Sequence, residues 1–270
     1  MPSAFAIAAH PDDIEFVMAG TLIRLKQAGY DLHYMTIANG SCGSTELSAA
    51  HTAELRERES LAAADFVGAE FHPSLTSDLA IFFDRQTLAR LAAIVRKVAP
   101  EILLVHAPAD YMEDHVNACR LAVTAAFARG MHNFPTIPPT EPIDQPVTVY
   151  HAQPHGNRDP LGQIVRPGLF VDIGSVLEQK TAMLACHQSQ QAWLDASQGL
   201  GSYLETMKAL SREVGEMSGR FEYAEGWRKR LHLGFCAADA DPLAAALGES
   251  CALIGSPSSG FLTPPLSDPS

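Results

Sequence analysis

The first hydrophobic run of the chain, Phe5-Ala6-Ile7-Ala8-Ala9, is the right length for a buried strand. Directly after it, Phe16, Met18, Leu22, Ile23 and Leu25 recur at helical spacing as far as Gly29, which is placed to end a helix. Leu32 to Ile37 predicts a second strand. A polar loop, Asn39 to Ser44, leads into a helical stretch from about Leu47 to Val67, stopped by Gly68. Leu88 to Val98 repeats the helical period and ends before Pro100. Ile102-Leu103-Leu104-Val105-His106 is the clearest buried strand, and Cys119 to Phe127 is helical again. Val147 to Ala152 and Leu169 to Ile173 read as later strands, and Val176 to about Met217 as mostly helical. Strands alternating with helices of this length predict βαβ units. The expected fold is α/β and Rossmann-like, three layers with a mainly parallel sheet and helices on both faces.

Two segments break the alternation. Five prolines between Asn133 and Pro146 predict an irregular insertion over about 130–146 within a single domain spanning 1–255. Residues 256–270 are rich in proline and serine and read as a tail. Composition narrows the function class. With 270 residues, 47% hydrophobic and 19% charged, the chain can bury a sizeable core and is not a disordered protein. Nineteen Lys and Arg against 31 Asp and Glu give a net charge of −12, so no nucleic-acid or anionic-membrane partner is expected. No apolar run approaches the roughly 20 residues of a membrane span. Met1-Pro2-Ser3-Ala4 lacks the basic start of a secretory signal. Five scattered cysteines, with no CxxC pair, point to reduced thiols and a cytoplasmic location, and away from a cysteine-built zinc site.

Candidate chemistry concentrates where strands end. His10-Pro11-Asp12-Asp13 follows the first strand, at the sheet edge where helix N-termini and loops converge on ligands in open α/β folds. One imidazole and one carboxylate oxygen from this loop can serve a divalent metal, leaving the other carboxylate free. The plainer alternative is an aspartate capping the next helix, worth about 1 kcal/mol. A second such loop, Ala107 to His115, follows the strand Ile102–His106. If the two strands are neighbours, His115 closes a three-ligand set with His10 and Asp13. Asp114 and Glu113 are then available to accept a ring N–H and orient a ligating histidine. Arg56 is either an anchor for a substrate anion or hydroxyl, or a helix-surface partner of Glu57 or Glu59. Asn39 to Ser44 matches neither common phosphate-loop pattern and is expected to shape the pocket. Trp193 and Trp227 are read as packing residues.

These motifs resemble the PIG-L/LmbE-like zinc deacetylases. The resemblance runs in order from about Ser3 to Trp227: AHPDD after the first strand, Arg56 and Glu59 in the long helix, a DH pair at Asp114-His115, the string Lys180 to Gln190, and Ala224-Glu225-Gly226-Trp227. It implies Zn2+, with Fe2+ or another divalent ion as alternatives, on His10, Asp13 and His115, and Asp12 as general base. It also implies a small-molecule substrate, an N-acetylated amino sugar or its conjugate, and a homo-oligomer, since relatives are often oligomeric. Two departures stand out. The family reads HPDDE, whereas Ile14 holds the Glu place and Glu15 follows. The family's HPDH reads Met112-Glu113-Asp114-His115, so the first histidine, which in relatives helps the transition state or protonates the leaving amine, is absent. Tyr111, His155 and His187 are the candidate replacements. His155 is favoured, beside Asn157, Arg158 and Asp159 in a polar loop past a strand end. The expected catalytic set is therefore Asp12, His155 and Asp114, with Arg56, Tyr111, Arg158 and His187 as substrate contacts. The family also has a hydratase branch, in which AHPDD is degraded; its presence here favours hydrolysis. A non-catalytic metal- or nucleotide-binding protein is the remaining alternative, kept open by Met112.

Overall fold

The computed structural model describes residues 1–191 and 203–253. Trp193 and the 256–270 segment lie outside the described residues. The first strand, β1 (Ser3–Ala8), shows why a layered fold forms. Its side chains alternate between two cores: Ala4, Ala6 and Ala8 join one, and Phe5 and Ile7 join the other. A strand apolar on both faces must be covered on both faces. The helix read after it is two helices, α1 (Asp13–Val17) and α2 (Ala19–Gln27), broken at Met18. Then come β2 (Asp31–Thr36), α3 (Ala49–Phe66), β3 (Ala69–His72), α4 (Arg85–Val98), β4 (Ile102–Val105) and α5 (Glu113–Phe127). Residues 131–146 carry no helix or strand, as their prolines require. The chain continues through β5 (Thr148–Ala152), β6 (Leu169–Asp172), α6 (Leu177–Leu184), α7 (Tyr203–Ser218), β7 (Ala224–Lys229), α8 (Pro242–Leu247) and β8 (Cys251–Leu253).

The eight strands form one sheet in the order β3-β2-β1-β4-β5-β7-β6-β8. The first five are parallel, and β7 and β8 run antiparallel to their neighbours. The expected mainly parallel sheet with helices on both faces is what the chain forms: α2, α3 and α6 contribute to the core on one face, α4 and α5 to the core on the other. The strands β3, β7 and β8 were not legible as strands. β3 is four residues long, and two of them, Glu70 and His72, are polar or titratable. Local caps follow the sequence: Asp84 accepts from the N–H groups of Gln86 and Thr87 at the start of α4. No helix among the described residues is long and apolar enough to cross a membrane.

The consequence for function lies in the order of the strands. β1 pairs with β4 in parallel, Ala4 opposite Ile102 through Ile7 opposite Val105. The chain leaves β1 for a helix on one face and leaves β4 for a helix on the other. Their carboxyl ends therefore open a crevice at the topological switch point, into which both candidate loops project.

Candidate metal centre and catalytic pocket

Asp12 has φ 97, the left-handed region that aspartate tolerates better than most residues but that still stores strain. That turn sends two consecutive carboxylates to different surroundings. Asp13 faces three imidazoles: its Oδ2 lies 3.5 Å from His10 Nδ1 and 3.2 Å from His106 Nε2, and its Oδ1 lies 3.4 Å from His115 Nε2. Asp12 turns towards Arg56, whose Nη2 is 3.6 Å from Oδ1, and accepts a hydrogen bond from the Tyr203 hydroxyl at 2.6 Å.

His10, Asp13 and His115 each offer a ligand atom within 4.8 Å of the others. Acceptors behind each ring fix which nitrogen faces inward. His10 donates through Nε2 to Asp114 at 2.9 Å, leaving Nδ1 towards Asp13. His115 donates through Nδ1 to Asp110 at 2.9 Å, leaving Nε2 towards Asp13. A carboxylate behind each histidine is the usual support of a ligating imidazole. Asp114 thus accepts from a ring N–H, that of His10. The partner of His115 is Asp110, which the motif reading passed over. Glu113, the other expected acceptor, is exposed.

The electrostatics of the cluster suit a cation. Burial works against charge on His115, but Asp13 and Asp110 outweigh it and push the ring up to about 10. Burial likewise opposes charge on His10, yet its hydrogen bonds to Asp114 and Asp13 push it up to about 9. Burial raises Asp13, but the charge of His115 and the hydrogen bond to His10 overcome it and hold the carboxyl well below its ordinary range. Asp12 goes the other way. Burial lifts it, with the charge of Asp13 adding to the rise, against the pull of Arg56. Two adjacent carboxyls pushed apart in this manner are suited to two roles, ligand and base. A divalent ion fits the donor set: two nitrogens and a carboxylate, with protons standing where positive charge is required.

His106 is a residue that sequence reasoning counted only as the end of a strand. Its ring stacks on His115 at 4.2 Å, and its Nε2 accepts the Ala9 N–H at 3.0 Å. Burial, reinforced by the charge of His115, lowers its pKa, so it sits neutral beside the charged pair. Its place one residue past β4, next to the AHPDD loop, was the available signal.

Around this cluster opens a cavity of about 410 Å³ lined by His10, Asp12, Asp13, Arg56, Tyr111, Met112, His115, His155 and Tyr203, among others. Tyr111 packs edge-on to His115 at 5.6 Å, and His155 lies against Tyr111 and Phe16 at 5.8 and 5.2 Å. Arg56 is buried and donates to the Pro11 and Gly40 carbonyls. It does not pair with Glu59, which instead accepts from the backbone and hydroxyl of Ser189. The Asn39–Ser44 loop lies on this guanidinium: a Cβ at Gly40 would stand 2.6 Å from Arg56 Cδ, and one at Gly43 2.6 Å from Nη1. Those glycines bring the loop onto the pocket wall.

Two expected substrate contacts lie off the cavity lining. Arg158 is not on the pocket lining; its guanidinium is engaged by Glu213 at 3.0 Å. His187 is fully buried, with Nε2 3.4 Å from Glu15 Oε1, and is not among the residues lining the cavity. The structure also brings in Tyr203, which sits on α7 far from every motif. Its only sequence signal was an aromatic position in a helical stretch.

With this geometry in place, the chain can be compared with known proteins. Residues 5–127 match the family described as GlcNAc-PI de-N-acetylase, PIG-L. The chain is 30% identical over 233 residues to 4-oxalmesaconate hydratase of Pseudomonas putida, covering 83% of this chain and 87% of that protein. It is 29% identical over 232 residues to diacetylchitobiose deacetylase of Thermococcus kodakarensis, covering 82% and 80%. Among solved structures, the 4-carboxy-2-hydroxymuconate hydratase from Pseudomonas putida superposes with a TM-score of 0.71 at 27% identity, over 85% of this chain and 96% of that one.

Proposed function

The chain belongs to the PIG-L (GlcNAc-PI de-N-acetylase) family, and on that premise we propose that it is a metal-dependent hydrolase. The bond cleaved is the amide of an N-acyl group, N-acetyl first, on an amino sugar or amino-sugar conjugate. The observation that carries this reading is the division of labour between two neighbouring carboxyls. Asp13 is held down among histidines, while Asp12 is lifted by burial at the wall of the same cavity.

His10, Asp13 and His115 would hold the ion, zinc by the chemistry of the donor set. When bound, it would polarise the acyl oxygen and lower the pKa of water at the site to about 7. Asp12 is the general base: its carboxylate takes the proton from the attacking water. Tyr203 holds that carboxylate in place, because burial and the charge of Asp12 raise the phenol well above its ordinary range and keep it a donor. Asp12 then returns the proton to the departing amine, with His155 the second group on the cavity wall able to supply one. Arg56, donating to Pro11 and facing Asp12, fixes the backbone of the HPDD turn. Tyr111, exposed at the rim, is a surface for the substrate.

Replacing Tyr203 by Phe removes one hydrogen bond to a charged group, worth about 1.5–3 kcal/mol. The expected result is a fall in kcat of at least about tenfold with metal content unchanged. A Tyr203→Phe protein with full kcat would remove Tyr203 from the site.

A second reading is favoured by Met112. An apolar thioether stands at the pocket wall where the deacetylase motif has an imidazole, and the chain is 30% identical to a hydratase. On that reading the same base delivers water to a C=C bond of an oxo-dicarboxylate. One paired assay separates the two on zinc-loaded protein. Free amine and acetate released from a panel of N-acetyl amino sugars support the hydrolase. Loss of conjugated-diene absorbance from oxo-dicarboxylates, with no amine released from the sugars, replaces it with the hydratase.

A further inference from the structure

A second cluster of metal-ligating groups lies outside the pocket. His33 on β2 and Glu70 and His72 on β3 each offer one ligand atom within 4.8 Å of the others. The strand register explains how. His33 is paired with Glu70, and Met35 with His72, so the three side chains share one face of two neighbouring parallel strands. His33 is the third of the six residues of β2, and Glu70 and His72 are the second and last of the four residues of β3; none of the three lines the catalytic pocket. The catalytic loops leave from the carboxyl ends of β1 and β4.

Elsewhere on this face the chain uses apolar residues, Phe5, Ile7, Met35 and Ile37. Two imidazoles interrupt that pattern and point their nitrogens at each other: His33 Nδ1 is 3.0 Å from His72 Nε2. Glu70 Oε2 is 3.7 Å from the same His33 nitrogen. Both distances are shorter than two bonds of about 2.0–2.2 Å laid end to end, so one ion can reach all the atoms involved. Phe5 packs against both rings, at 5.9 and 5.1 Å, and holds them in place. Burial lowers the pKa of both histidines, that of His72 to about 4. His72 is buried, His33 partly exposed and Glu70 exposed, which leaves a route for an ion and room for water on the open side. The charged neighbours are Asp31, which adds negative charge, and Lys97, whose Nζ is 4.0 Å from Glu70 and is itself well exposed and free to swing away.

We propose that His33, Glu70 and His72 form a second divalent-metal site that ties the edge strand β3 to β2. Two imidazoles and one carboxylate select zinc, nickel or copper over magnesium or calcium. This inference stands apart from the proposed hydrolysis and uses none of its residues.

The test is metal content after chelation, reloading with excess Zn2+ and desalting, on the full-length protein. The expected result is two zinc ions per chain in wild type and one each in His33→Asn and His115→Ala. None is expected when both changes are combined. Glu70→Gln, a change at an exposed position that does not threaten folding, weakens zinc binding by the His115→Ala protein at least about tenfold in calorimetry. One ion in wild type that His33→Asn removes and His115→Ala leaves would support this site while sinking the catalytic one. The proposal is overturned if His115→Ala binds no zinc, or if His33→Asn still holds two ions; the facing rings are then only a hydrogen-bonded pair.

Discussion

Asp12→Asn is expected to lower kcat by about 100- to 10,000-fold, the range that a positioned general base supplies, while zinc content stays at the wild-type level. The substitution keeps the shape of the side chain. An amide oxygen can still accept the Tyr203 hydroxyl, so the local fold and the 2.6 Å contact have no reason to change. What is lost is the ability to take a proton. Asp12 is not one of the three groups that converge within 4.8 Å, so the ligand set is untouched. The contrasting variant is Asp13→Asn. Asp13 is the carboxylate on which His10, His106 and His115 converge, and its change is expected to remove the metal of this site and turnover together. Metal analysis beside kcat on both variants is the measurement. Loss of zinc from Asp12→Asn would mean that the two carboxyls have been assigned the wrong way round.

Much of this site was legible because it is local. His10, Asp12 and Asp13 fall within four residues after a clear buried strand, and Asp114 and His115 follow another. A crevice at the carboxyl ends of adjacent parallel strands is a property of the fold class, so the two loops could be placed together once β1 and β4 were taken as neighbours. The supporting groups were less legible, because their roles depend on direction in space. Asp110 and Asp114 lie four residues apart and serve different histidines, and spacing alone does not say which. His187 and Arg158 look polar and available in the sequence, yet one is buried against Glu15 and the other is spent on Glu213. Tyr203 comes from a helix 191 positions beyond its partner Asp12. In the fold, the strands that failed to read as strands are those lacking a long apolar run, and one of them, β7, contains a glutamate buried for a reason that only the tertiary structure supplies.

That glutamate carries the largest expected effect on stability. Glu225 and Lys180 form an ion pair at 2.6 Å with side chains 2% and 0% exposed. Glu225 Oε1 also accepts the Gly20 N–H at 2.8 Å, and Oε2 accepts the Thr21 N–H at 2.7 Å, both in the first turn of α2. Those N–H groups have no partner within the helix, and the helix terminus favours a negative charge. Lys180 donates in addition to the Phe16 carbonyl, at 2.8 Å, so the pair clamps β7 and α6 to the junction of α1 and α2 just below the HPDD turn. Gly20 makes the approach feasible: a Cβ there would stand 2.5 Å from Ile173 and 3.1 Å from Glu225 Oε1. Removing one member of a buried pair strands the other, at a cost of about 3–5 kcal/mol, a large part of a total stability of about 5–15 kcal/mol. The two members are not equivalent. Glu225→Ala strands a lysine and two backbone donors at once and is expected at the top of that range. Lys180→Met leaves a carboxylate still held by two N–H groups at a helix start and is expected to cost less. The double variant Lys180→Met with Glu225→Ala leaves no unpaired charge, so it is expected to lose less than the sum of the single changes. Urea denaturation of the four proteins measures this. Strictly additive losses would mean that the two side chains contribute independently and that the ion pair does not hold the site's platform together.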